Sequence, residues 1–221
     1  MIKIKVCGLT EEQHVLAAGE ASVDFIGLVF ASSLRQISPE KALRLSEAAH
    51  GHKSRLEVVG VFVNSPIQEV NRIARSCQLD WVQLSGDETW QYCLGIECPI
   101  IKAIHISPLM TAEEILSDIN LWHEVPLQQQ PICLLDTRTD NAYGGTGQTF
   151  NWQISKEVSC KFPVIIAGGL SPANIDPLIR FVQPWGVDVS TGVESNGKKD
   201  SLKINAFVKA VRKAEANLFL I

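Results

Sequence analysis

A closed (β/α)8 barrel, the TIM-barrel class, is the fold this sequence predicts, as one domain over residues 1–221. Short β-branched runs alternate with segments of helical period along the whole chain. Cap signals open many of those helical segments. The turn after the first strand, Cys7-Gly8-Leu9-Thr10, carries no GxGxxG, which argues against a doubly wound open sheet.

The eight strand candidates are Ile2–Val6, Val23–Phe30, Leu56–Val63, Asp80–Leu84, Ile100–Ile106, Ile132–Asp136, Val164–Ala167 and Val187–Ser190. Helical period marks Pro39–Ala49, Ile67–Cys77, Ala112–Asn120, Pro172–Val182 and Leu202–Ala216. Thr10, Ser38-Pro39-Glu40, Ser65-Pro66, Thr111 with Glu113-Glu114, and Ser171-Pro172 read as helix starts. Strands that alternate with helices form a parallel sheet covered by the helices.

Composition narrows the function classes. Hydrophobic residues make up 46% and charged residues 20%, which excludes a disordered or fibrous chain. A net charge of −4 without a basic cluster speaks against a nucleic-acid groove. No apolar run approaches the roughly 18 residues of a membrane span, and the opening MIKIKVCGLT lacks a signal-peptide core. Cysteines 7, 77, 93, 98, 133 and 160 form no CxxC pair and read as reduced thiols of a cytoplasmic protein.

In a barrel, chemistry sits at the C-terminal strand ends. Strand seven ends in Ala167-Gly168-Gly169-Leu170 and strand eight in Val189-Ser190-Thr191-Gly192. Glycine-rich turns bring amides, and Ser190 and Thr191 bring hydroxyls, to an anion, so the two loops predict a phosphate site for a small phosphorylated ligand. Cys7 ends strand one, and alternation puts Lys5 beneath it on the same face. A lysine inside the barrel requires a carboxylate partner, for which Asp188 on the adjoining eighth strand is the candidate. Such a cation is expected to lower the thiol pKa.

Asp136 lies three strands from Cys7 around the ring, so a base and an acid would face each other across the mouth. The segment Thr137–Gly147 reads as a lid above it, and Arg35 in the second loop suits a substrate carboxylate. The apolar tail Leu218-Phe219-Leu220-Ile221 is expected to cover its own barrel, which favours a monomer over a homodimer. His14 and His123 are expected at the surface, and His105, which ends strand five, in packing, with contact to the ligand as the alternative. Neither His50-Gly51-His52 nor Cys93–Cys98 has the second pair a metal site requires.

As an ordered set, these segments resemble the phosphoribosylanthranilate isomerase family nearly end to end. The resemblance runs through Lys5–Thr10, Ser33–Ile37, Val59–Asn64, Asp80–Leu84, Leu134–Asp136, Gly144–Gly147, Ala167–Pro172 and Val187–Glu194. It implies an Amadori rearrangement in tryptophan biosynthesis, without cofactor or metal, with Cys7 as general base and Asp136 as general acid. It further implies that Arg35 holds the anthranilate carboxylate. Gln83, Gly145, Gly168, Gly169, Asp188, Ser190, Thr191 and Gly192 complete the expected substrate-binding set. Ser85 stands where the family usually has a histidine, and Leu34 where it usually has a proline. The alternative from a different class is a non-catalytic phosphosugar-binding barrel, which would bind a product analogue without turnover.

Overall fold

Each strand candidate forms a strand, shifted by at most two residues at an end. A computed structural model describes residues 1–54, 56–107, 109–123, 130–136 and 152–218. The strands are β1 Lys3–Cys7, β2 Phe25–Val29, β3 Glu57–Phe62, β4 Trp81–Leu84, β5 Ile100–His105, β6 Ile132–Asp136, β7 Val164–Ala167 and β8 Gly186–Val189. All pair in parallel, and β1 joins β8 to close the ring.

The helices are α1 Glu12–Glu20, α2 Pro39–His50, α3 Ile67–Ser76, α4 Trp90–Cys93, α5 Ala112–His123, α6 Trp152–Ser159, α7 Ile175–Val182 and α8 Ser201–Leu218. Two expected caps form: Ser38 accepts from the Lys41 amide, and Thr111 and Glu114 bond reciprocally as a capping box. The helix expected from Pro172 instead starts at Ile175, because the Asn174 carboxamide oxygen takes the Ser171 amide and holds residues 172–174 in turns.

Strand register separates two apolar layers. Phe25, Val59, Ile101, Ala103, Leu134, Ile165 and Ala167 fill the barrel. The alternate residues, such as Ile4, Val6, Ile26, Val58 and Leu135, join the helices in a second, larger core. His14 is buried on the inner face of α1 beside Val15 and Ala18, contrary to the surface position expected of it. The side chain of His123 lies outside the described residues. No helix among the described residues is long and apolar enough to cross a membrane.

Candidate active site

Alternation along β1 places Lys3, Lys5 and Cys7 on the barrel side. The Lys3 ammonium turns to Asp24 at 2.7 Å, at the foot of the strands. Lys5 is 1% exposed, and its Nζ donates to Asp188 Oδ1 at 3.1 Å across the β1–β8 seam. Burial alone would lower the Lys5 pKa, yet Asp188 and Cys7 together outweigh it and hold the ammonium above its usual range. The expected ion pair therefore forms, and Asp188 spends a carboxylate oxygen on it.

The Cys7 thiol sits above this pair. Room for the sulfur comes from Gly27 on β2, whose missing Cβ would lie 2.7 Å from Sγ. Burial pushes the Cys7 thiol up, and Asp188 adds to that, while Lys5 and Lys199 pull it down. The net direction is upward. This corrects the expectation of a lowered pKa: the ammonium is present, but desolvation of the thiolate exceeds its attraction.

Three strands away, Asp136 ends β6 directly opposite His105 of β5 in register. His105 Nδ1 lies 3.7 Å from Asp136 Oδ2, and His105 Nε2 lies 2.9 Å from the Ser85 carbonyl oxygen. His105 thus belongs to the mouth and not to packing. Gln83 points into the barrel from β4, donates to the Ser85 hydroxyl at 2.9 Å and leaves its buried Oε1 without a hydrogen bond.

The strand-seven and strand-eight loops meet beside β1. Gly168 and Gly169 have φ of 96° and 61°, a left-handed pair that a side chain would strain. Thr191 and Gly192 open a 3-10 turn, Thr191–Val193, so their amides have no acceptor within it. A Cβ on Gly192 would collide with the Leu170 carbonyl oxygen, so the two loops touch through backbone. The Ser190 hydroxyl donates to the Cys7 carbonyl at 3.1 Å.

After this turn comes a short antiparallel hairpin, β9 Glu194–Ser195 and β10 Lys198–Lys199, with Asn196 and Gly197 at positive φ. It supplies two side chains the sequence reading did not select. Lys199 Nζ donates to the Ser190 carbonyl at 3.0 Å and to Glu194 at 2.7 Å. The same carboxylate accepts Arg35 Nε at 2.7 Å on Oε1, the oxygen that Lys199 also reaches, and a terminal guanidinium nitrogen at 2.8 Å on Oε2. Burial would raise the Glu194 carboxyl, but Arg35 and Lys199 outweigh it and hold it below the usual range. Burial lowers Lys199 despite its partner.

Asn196-Gly197 between two short extended pairs is the sequence signal for this hairpin. Gly27 gave no such signal, because its role appears only when β2 lies beside β1. Gly145 and the segment Thr137–Gly147 lie outside the described residues, as do Phe219, Leu220 and Ile221. His50 bonds Asp80, and His52 bonds Ser54. No group of three or more His, Cys, Asp or Glu able to hold a metal occurs among the described residues.

The family described as N-(5'-phosphoribosyl)anthranilate (PRA) isomerase matches residues 4–210. The N-(5'-phosphoribosyl)anthranilate isomerase of Dehalococcoides mccartyi is 48% identical over 217 residues, 98% of this chain and 99% of that one. The enzyme of the same name from a Roseiflexus species is 40% identical, over 97% of this chain and 99% of its own. The crystal structure of phosphoribosyl anthranilate isomerase from Thermotoga maritima superposes with a TM-score of 0.83 at 35% identity, covering 96% of this chain and all (100%) of that one. A phosphoribosyl anthranilate isomerase solved in complex with reduced 1-(o-carboxyphenylamino)-1-deoxyribulose 5-phosphate gives 0.79 at 32%, with 96% and 100% covered.

Proposed function

This chain belongs to the N-(5'-phosphoribosyl)anthranilate isomerase family, and from that premise we propose how its barrel mouth carries the reaction. The reaction is the aldose–ketose isomerisation of N-(5-phosphoribosyl)anthranilate to 1-(2-carboxyphenylamino)-1-deoxyribulose 5-phosphate, in tryptophan biosynthesis. Its chemistry is two proton transfers on the sugar. A proton added to the ring oxygen opens the furanose, and a proton removed from C2 gives the enolamine that becomes the ketose.

Asp136 is the acid and Cys7 the base. The observation that carries this reading is a thiol seated against Gly27 over a buried ammonium, with Asp136 three strands away around the closed ring. The raised thiol pKa suits the task in one respect: a sulfur that binds its proton firmly is a stronger base once ionised. Lys5 supplies the positive charge that a thiolate requires at this depth.

Binding divides between the two sides of the mouth. The amides of Gly168, Gly169, Thr191 and Gly192 hold the phosphate, joined by the Ser190 hydroxyl when its hydrogen turns from the Cys7 carbonyl to the anion. Arg35 holds the anthranilate carboxylate. Its guanidinium has about five N–H donors, of which Glu194 engages two, so three remain for substrate. Gln83 offers its unpaired Oε1 to a ribose hydroxyl and Asp188 contributes from beneath through Lys5, while Gly145 belongs to the set on the family resemblance alone. The same reading takes residues 1–221 as one domain, acting as a cytoplasmic monomer, in keeping with its six free cysteines.

The test is loss of substrate fluorescence in Cys7→Ala and Asp136→Asn. Each is expected to lower kcat by about 10²–10⁴ with the melting temperature retained. Near-normal turnover by either folded variant would overturn the assignment of that residue.

A further inference from the structure

We propose that His105 is a positioning residue for the acid, and that Asp136 and His105 share one proton between them. This rests on Asp136 being the acid. The imidazole is fixed by its surroundings: Nε2 faces the Ser85 carbonyl oxygen at 2.9 Å, and a carbonyl only accepts, so Nε2 carries the hydrogen. The other nitrogen is therefore the one that can gain or lose a proton. Nδ1 is buried, makes no hydrogen bond in this geometry and lies 3.7 Å from Asp136 Oδ2.

Among the described residues, Asp136 is the ionisable side chain that the flanking strands turn towards His105. On the β4 side stand Gln83 and Ser85, both neutral. On β5 itself, Lys102 faces the opposite way, where Glu88 and the Gly86 carbonyl hold it at 3.2 and 2.9 Å. Across the mouth stand Cys7 and Lys5, the latter neutralised by Asp188.

The pairing answers a chemical requirement. A carboxyl group ordinarily titrates well below neutral pH and an imidazole close to it, so a carboxyl alone has little proton to give, whereas a neighbouring imidazole is a second site from which it can draw one. In the step, the Asp136 O–H bond breaks as the bond from hydrogen to the ring oxygen forms. That O–H held the one shared proton, drawn from Nδ1, so the pair is left as a carboxylate and a neutral imidazole still bonded through Nε2 to Ser85. Solvent returns one proton to the pair after the ketose departs.

The experiment measures kcat and KM of the full chain between about pH 5 and 9 for the wild type, His105→Gln, His105→Asn and Asp136→Asn. Both histidine variants are expected to lose about 10–100-fold in kcat at the alkaline end with KM changed less than about twofold. Their alkaline limb should move to lower pH, and activity should recover on acidification. An unmoved limb, or an equal loss at every pH, would overturn proton sharing while Asp136→Asn, inactive throughout, upheld the acid. Turnover retained by Asp136→Asn would instead overturn the acid itself.

Discussion

Adding one methyl group at Gly27 tests how the thiol is seated. In Gly27→Ala the new Cβ would stand 2.7 Å from Cys7 Sγ, 3.0 Å from its Cα and 3.2 Å from its Cβ. Favourable carbon contacts begin near 3.5 Å, so the closest approach is short by about 0.8 Å. The neighbours belong to a paired strand and cannot swing away as a long side chain would. Such overpacking costs about 1–3 kcal/mol. Replacing glycine returns about 0.5–1 kcal/mol by restricting the unfolded chain. The net loss then lies between about 0 and 2.5 kcal/mol, centred at ~1, which lowers the melting temperature by up to about 10 °C in a domain of this size. Displacing the sulfur by the better part of an ångström costs about 10² in kcat. Cys7→Ala in the Gly27→Ala background removes the closest contact and leaves the other two, so part of the lost stability should return, giving a coupling of about 1 kcal/mol in the double-mutant cycle. Melting curves and the fluorescence assay read both quantities. A Gly27→Ala protein that melts higher and turns over normally would refute the seating argument.

Glu194→Ala leaves Lys199, whose side chain is 2% exposed, without its carboxylate and releases Arg35. An uncompensated buried cation costs about 3–5 kcal/mol in denaturant melts. KM should also rise more than kcat falls, and unchanged values of both would count against the network. Because burial raises the Cys7 thiol and the thiolate is the species that reacts, alkylation of Cys7 by iodoacetamide should be slow at neutral pH. Its rate should still be climbing above pH 9, whereas exposed Cys160 should label first, as mass spectrometry of the peptides can follow.

What the sequence made legible is what one strand or one loop carries. The strand rhythm located the ring, alternation placed Lys5 under Cys7, and ring closure then pointed to Asp188 as the lysine's partner. The glycines at 168, 169 and 192 announced a turn that backbone sterics require. What stayed hidden depends on neighbours distant in the chain. Gly27 looked like any strand glycine until β2 lay beside β1, and His105 acquired a role only opposite Asp136 and against the Ser85 carbonyl. The thiol's shift was misjudged because a charge can be read from a residue type, whereas desolvation comes from the assembled surroundings. His14 was misplaced because polarity alone suggested the surface of α1.

The Lys5–Asp188 pair joins positions 183 residues apart. During synthesis Lys5 is made 183 residues before its counter-charge and has left the ribosome before Asp188 is added. Until the eighth strand arrives, a nascent chain carries an ammonium destined for an apolar interior with nothing to neutralise it. Closure of the sheet and ionic completion of the catalytic end are accordingly one late event, so a prematurely terminated product should be unable to retain a partly working mouth.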